Sequence, residues 1–310
     1  MNPDAKQYSE NILVGGLEAG GTRFNCVIGY SNGDIIARRT FPTTNPQETL
    51  ARVSDFFKES VSVHGPLQAL GVAHFGPVEI NKAAENYGKI LATTKPGWSH
   101  TNIVGYFSGI FDVPIAFQSD VNAAALGEHH FGAAEGCDNF VYITVGTGIG
   151  GGVYVNGALL NDRSHPEIGH MLVPHDLAQD SFTGSCPFHA DCLEGLASGP
   201  AIKARWGRSA EGLEPDHPAW ELEAQYLAIL CANLTYCYAP EKIIMGGGVM
   251  HQKHLFPLIR QYFMSQIQGY RSPFKAATID KYIVPSRLEG EAATRGALIL
   301  AHQAHVMSLK

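Results

Sequence analysis

Two stretches of this chain follow one grammar. ILVGGLEA, the turn Gly20-Gly21-Thr22, RFNCVIGY, the turn Asn32-Gly33 and GDIIARRT run in that order near the start. NFVYITV, Gly146-Thr147-Gly148, GGGVYV, Asn156-Gly157 and ALL repeat the order in the middle. Apolar runs of strand length, broken by Gly-Thr and Asn-Gly turns, read as β-hairpins because glycine and asparagine accept the backbone angles of tight turns. A three-stranded unit used twice predicts two similar domains facing each other. Chance likeness is the alternative, since hairpins are common.

Between and after these units the pattern alternates. A helix is expected from about Pro46, where Leu50, Val53, Phe57 and Val61 fall at helical spacing, followed by a strand at LQALGVAHF. A strand PIAFQS then runs into Asp120, where the small-residue helix VNAAALGEHHF begins. Further on, a helix from about Pro218 carries the stripe Trp220, Ala224, Leu227, Cys231 and Leu234, read as core. The strand KIIM leads into Gly246-Gly247-Gly248 and a helix starting near Val249, and EAATRGALILAHQAHVM forms the last helix. With no low-complexity linker, the boundary is expected at the helix after Asp120. A smaller first domain then covers 1–122, completed by the last helix at about 291–310, and a larger one covers 123–290.

Composition narrows the function classes. The 310 residues are 45% hydrophobic and 16% charged, which suits a soluble globular protein with substantial cores. A formal net charge of −7 and the lack of a basic block argue against nucleic acid or an acidic membrane as partner. MNPDAKQYSENILV has no basic region followed by an apolar one, and no apolar run is long enough to span a bilayer. Four scattered cysteines, Cys26, Cys137, Cys231 and Cys237, read as reduced thiols. The cytoplasm is the expected location.

Three glycine-rich turns at strand ends point to phosphate: Gly20-Gly21-Thr22, Gly146-Thr147-Gly148 and Gly246-Gly247-Gly248. Glycine lets backbone N–H groups approach phosphate oxygens, and threonine adds an uncharged donor. One such turn is usually only a turn; three in strand-end contexts say more. None is a GxxxxGK[ST] loop, and no GxGxxG follows the first strand, so neither a P-loop nor a dinucleotide-binding Rossmann fold fits.

The segment His170 to Cys192 adds four soft ligands, His170, Cys186, His189 and Cys192. Such a set can close a tetrahedral zinc site, and four protein ligands make it structural rather than catalytic. A disulfide, two buried thiols or a core histidine are the competing readings. His165 is the spare ligand. Glu167 precedes this segment in HPEIGH and Glu194 follows Cys192, so a folded metal loop would hold both carboxylates rigidly.

LEAGGTRF, SDVNAAALGE, ITVGTGIGGGVYVNG, HPEIGH, the Cys/His cluster and IIMGGGV occur in the order found in the ROK family of bacterial sugar kinases and repressors, and the resemblance runs over nearly the whole chain. EAGGT in place of the family's usual DxGGT, and CPFHADCLEG in place of its commoner CxCGxxGCxE, resemble the fructokinase branch.

The resemblance implies a duplicated actin-like, ribonuclease H-like α/β ATPase fold with a cleft between two domains, a homodimer, and ATP, Mg2+ and structural Zn2+ as cofactors. It implies Asp120 as the base that takes the proton from a sugar hydroxyl attacking the γ-phosphate. The residues alone leave a helix N-cap equally open for Asp120, and Asn122 is a further cap candidate. Glu167 and Glu194 match hydroxyl ligands of the sugar, His170 matches a zinc ligand lining the same pocket, and Gly76 and Pro77 fall where that pocket closes, although such a pair is also an ordinary turn. Thr147 matches a phosphate contact, Gly246, Gly247, Gly248, Val249 and Met250 the adenosine segment, and Pro200 a further nucleotide contact. The family's usual Asp helps position magnesium; Glu18 stands there, one methylene longer, and a role through water is the alternative to direct contact.

The expected activity is transfer of the γ-phosphate of ATP to the 6-hydroxyl of fructose. Glucose or mannose is the nearest rival, because hydroxyl selectivity is set by pocket geometry. A sugar-responsive repressor would carry a helix-turn-helix ahead of the first strand, where only about a dozen residues stand. A zinc hydrolase using Glu167 lacks HExxH spacing and an open coordination position.

Overall fold

The structure is a computed structural model that describes residues 11–160, 163–270 and 278–310. The reading of MNPDAKQYSE lies outside the described residues. The chain divides into two compact units. The first holds the described residues of Met1–Phe131, Asn161–His165 and Glu291–Lys310, and the second those of Gly132–Leu160 and Pro166–Gly290.

In the first unit, β1 (Leu13–Ala19), β2 (Arg23–Tyr30) and β3 (Ile35–Pro42) form an antiparallel meander. Helix α1 (Pro46–His64) starts where Asn45 accepts the Glu48 N–H at 2.9 Å and Pro46 supplies a φ suited to the first turn. It buries Leu50, Val53 and Phe57 and leads to β4 (Leu70–His74). After α2 (Ile103–Ser108) come β5 (Ile115–Ser119) and α3 (Asp120–Phe131). The sheet order is β3-β2-β1-β4-β5, with β4 and β5 parallel to β1.

The second unit repeats this topology strand for strand. Strands β6 (Phe140–Val145), β7 (Ile149–Val155) and β8 (Ala158–Leu159) form the meander. Helices α4 (Leu193–Ala197), α5 (Gly199–Trp206) and α6 (Ala219–Tyr238) precede β9 (Lys242–Gly246). Helix α7 (Leu255–Ile267) and the single turn α8 (Ile279–Tyr282) precede β10 (Ile283–Pro285). The order β10-β9-β6-β7-β8, with β9 and β10 parallel to β6, is the first sheet again. The repeated hairpin in the sequence is therefore a repeated sheet, and the α6 stripe is core as expected: Trp220, Ala224, Leu227, Cys231 and Leu234 are all buried.

Two boundaries differ from the sequence reading. The first unit does not end at residue 122: α3 stays whole within it and packs on the last helix, α9 (Ala292–Ser308). A Cβ on Gly127 would lie 2.1 Å from the Ala292 carbonyl oxygen, and one on Gly296 would lie 1.7 Å from that of Ala123. Paired glycines let the two backbones touch, and cutting α3 after Asn122 would divide that contact. The helix expected near Val249 is a 3-10 turn at Val249–His251, and α7 begins only at Leu255. Pro257 explains the gap. In a helix running from Val249 it would sit in the interior, lacking an N–H and crowding the carbonyl four residues back, whereas near the start of α7 that cost vanishes.

Candidate functional site

In the first unit, register brings three segments to one sheet edge. Ala19 pairs with His74 and His74 with Ser119, so Gly20-Gly21-Thr22, Gly76-Pro77 and Asp120 all follow the carboxyl ends of neighbouring strands. That edge is where open α/β sheets bind ligands. Thr43 Oγ1 donates to the Gly20 carbonyl at 2.7 Å, Phe75 donates to the Ala19 carbonyl at 2.8 Å, and the Gly76–Pro77 peptide is cis.

Asp120 opens α3, and its Oδ1 accepts the Val121 N–H at 2.8 Å. The capping contact three residues ahead belongs to Ser119, whose Oγ accepts the Asn122 N–H at 3.3 Å. The Asn122 side chain donates to Gln118 Oε1 at 3.0 Å, so it is a buried brace and not the cap. An aspartate in the first turn of a helix complements the positive end of the amide dipoles.

Glu18 sits two residues before the glycine turn. Its Oε2 accepts from Asn25 Nδ2 at 3.2 Å and from Thr294 Oγ1. Burial raises its pKa, while Thr294, Asn25 and the Arg23 charge pull the other way. The sequence reading missed Asn25 and Thr294. The β1–β2 register could have indicated Asn25, which pairs with Glu18, but nothing in the sequence brings a residue of the last helix to the first strand.

In the second unit, three more segments converge. The Gly146 N–H donates to the Gly148 carbonyl at 2.9 Å, closing the turn, and the Gly199 N–H donates to the Gly146 carbonyl at 2.8 Å, which sets Pro200 beside it. The Gly248 nitrogen is 3.8 Å from where a Gly146 Cβ would stand. Gly247 has φ 93° and faces the Val145 backbone so closely that a Cβ would lie 2.4 Å from its oxygen, a position only glycine fills. A depression beside this segment is lined by residues that include Met245, Gly246, Gly247, Met250, Ser286 and Glu289.

Glu167 and Glu194 flank the same hairpin. Glu194 Oε2 accepts the Ile149 N–H at 2.9 Å. Glu167 stands just before the 3-10 turn Ile168–His170, its backbone carbonyl accepting the His170 N–H at 3.0 Å, and the turn presses on β7: a Cβ on Gly151 would lie 2.1 Å from Ile168 Cδ1, and one on Gly169 1.9 Å from the Ile149 oxygen. The glycine run in β7 makes room for this turn. Surrounding protein, and then the Glu194 charge, push the Glu167 pKa up to about 7.

The four expected ligands come together. One ligand atom each of His170, Cys186, His189 and Cys192 all lie within 4.8 Å of one another. His170 Nδ1 is 3.8 Å from Cys186 Sγ and 3.5 Å from Cys192 Sγ, and His189 Nδ1 is 3.8 Å from Cys186 Sγ. Zn–S and Zn–N bonds at tetrahedral angles separate sulfur from nitrogen by about 3.6 Å, so the donor set fits zinc. The cysteines are free thiols, with no disulfide between them. The spare ligand, His165, is elsewhere: it belongs to the first unit, where its Nε2 accepts the Val78 N–H at 3.3 Å. Backbone bonds hold the loop, Leu193 N–H to Met171 oxygen at 3.0 Å and Ser185 N–H to Gly195 oxygen at 2.9 Å.

Two like-built sheets, each with a glycine hairpin and a ligand-binding edge, define the duplicated actin-like ATPase fold of sugar phosphotransferases. The ROK family model matches residues 14–304, and the chain belongs to the ROK family. It is 46% identical over 293 residues to a putative fructokinase of Bacillus subtilis, covering 94% of this chain and 96% of the relative. It is 41% identical to the fructokinase of Pediococcus pentosaceus, covering 94% and 99%. Among solved structures, the ROK hexokinase of Thermus thermophilus superposes with a TM-score of 0.76 at 25% identity, covering 96% of this chain and 100% of that one. No helix among the described residues is long and apolar enough to cross a membrane.

Proposed function

We propose that the chain is an ATP-dependent fructokinase, transferring the γ-phosphate of ATP to the 6-hydroxyl of D-fructose to give fructose 6-phosphate and ADP. The observation that carries this reading is near-full-length identity to fructokinases combined with an aspartate at the ligand-binding edge of the first sheet. Asp120 takes the proton from the 6-hydroxyl as that oxygen bonds to the γ-phosphorus, and the bond from phosphorus to the bridging oxygen of ADP breaks. The Val121 N–H at the start of α3 orients its carboxylate.

The Gly20-Gly21-Thr22 turn of the first unit and the Gly146-Thr147-Gly148 turn of the second each offer backbone N–H groups suited to phosphate oxygens. Gly246 to Met250 and Pro200 receive the adenosine. Glu167 and Glu194 accept sugar hydroxyls, and Gly76 and Pro77 shape the pocket. Magnesium prefers oxygen ligands and keeps several waters. Glu18 fits an outer role through water, because its Oε2 already serves two protein donors. His170, Cys186, His189 and Cys192 would hold zinc, whose contribution is rigidity. With four protein ligands no position is left for water, and the loop fixes Glu194 just beyond Cys192. A cytoplasmic homodimer goes with this reading.

The test is ADP release with ATP and magnesium over fructose, glucose and mannose. Fructose is expected to give the highest kcat/KM; a preference for another hexose would keep the kinase and replace its substrate. No sugar-dependent ADP release would overturn the reading.

A further inference from the structure

Resting on the kinase reading, we propose that Thr294 and Asn25 are positioning residues for Glu18, and that the glutamate in this chain's EAGGT works as a pair with the last helix. The β1–β2 register sets Glu18 opposite Asn25, immediately before the phosphate turn. Asn25 Nδ2 donates to Glu18 Oε2 at 3.2 Å, and Thr40 Oγ1 donates to Asn25 Oδ1 at 2.9 Å, which orients the amide with its NH2 toward the carboxylate. Thr294, 5% exposed in the first turn of α9, donates to the same Oε2.

Both donors among the described residues load one oxygen. Oε1 is therefore the oxygen able to turn to a hydrated cation, while Oε2 is pinned. An aspartate at position 18 would draw the carboxylate back by roughly one C–C bond, about 1.5 Å, and lose the Thr294 hydroxyl. The longer side chain thus fits a helix that brings its own donor to the phosphate edge. Position 18 and position 294 are one device, and a substitution at either breaks the same contact.

The experiment uses the full chain and two readouts, calorimetric titration with Mg·ADP in the absence of sugar and steady-state kinetics with fructose. Thr294→Val is expected to weaken Mg·ADP binding roughly 5- to 10-fold, a fraction of what one hydrogen bond to a charged group is worth, because Thr294 acts through Glu18. It should raise the KM for Mg·ATP similarly and leave the KM for fructose unchanged. Thr294→Ser restores both. Glu18→Asp produces a similar loss, and Glu18→Asp with Thr294→Val together are no worse than either alone. Thr40→Val, which only releases the Asn25 amide, shifts Mg·ADP binding in the same direction by less, and it reads the proposal if Thr294→Val does not fold.

Wild-type Mg·ADP binding in Thr294→Val, additive effects of the two substitutions, or an equal rise in the fructose KM would overturn the proposal. A chain that phosphorylates no sugar would still report through the Mg·ADP titration, so the two readings fail separately.

Discussion

The Glu194 carboxylate accepts the backbone N–H of Ile149 at 2.9 Å, tying the helix that follows the Cys/His loop to the first residue beyond the phosphate turn. A proposed sugar ligand is thereby also a strut of the proposed nucleotide cradle. Oε2 reaches this N–H because Gly148 has no side chain: a Cβ there would lie 2.5 Å from Glu194 Oε2.

Gly148→Ala is accordingly expected to displace Glu194 and raise the KM for both fructose and Mg·ATP, each on the order of 10-fold, with about 1–3 kcal/mol lost from stability through overpacking. Initial-rate kinetics and urea unfolding measure the two effects. A variant altered in one substrate alone would mean that the strut carries no coupling.

The Cys/His cluster predicts stoichiometric zinc in the purified protein, measured by atomic emission. Cys186→Ser or prolonged chelation should remove it, lower the melting temperature and reduce activity in step, because the loop that positions Glu194 loosens. Zinc-free protein with unchanged melting and kinetics would contradict a structural ion.

Much of this architecture was readable from Gly and Asn positions. The turns at Gly20–Thr22, Asn32-Gly33, Gly146–Gly148 and Asn156-Gly157 announce the repeated meander, since tight turns restrict residue type. Ligand spacing in CPFHADC announced the cluster, since local chain geometry determines which side chains can meet. What stayed hidden depends on contacts between distant segments. Nothing local to Val249 shows that Pro257 delays the helix, and β10 is too short to carry a pattern. Gly127 and Gly296 reveal their purpose only when α3 and α9 lie together. His165 fits a ligand by spacing, yet pairs with Val78 in the other unit of the chain.

His74 predicts an acid-sensitive fold. It lies in a cage of Phe24, Phe75, Trp98 and Phe117, its Nδ1 3.0 Å from the Phe75 carbonyl, and burial lowers its pKa to about 4. The unfolded chain therefore binds a proton below about pH 6.5 that the folded chain refuses until about pH 4. Stability is full above the first value and falls as pH drops toward the second, by at most about 3 kcal/mol from this residue. Urea unfolding at pH 7, 6 and 5 should show this slope, and His74→Leu should flatten it even with lower stability overall. An unchanged slope in that variant would assign the acid sensitivity to other groups.

Asp120→Asn is the most direct test of the proposed chemistry, because it keeps the shape and the Val121 contact while removing the proton acceptor. Fructose-dependent ADP release should fall by roughly 10²–10⁴-fold, with Mg·ADP affinity, zinc content and melting temperature close to wild type. Turnover within a few-fold of wild type would contradict the assignment of Asp120 as the base.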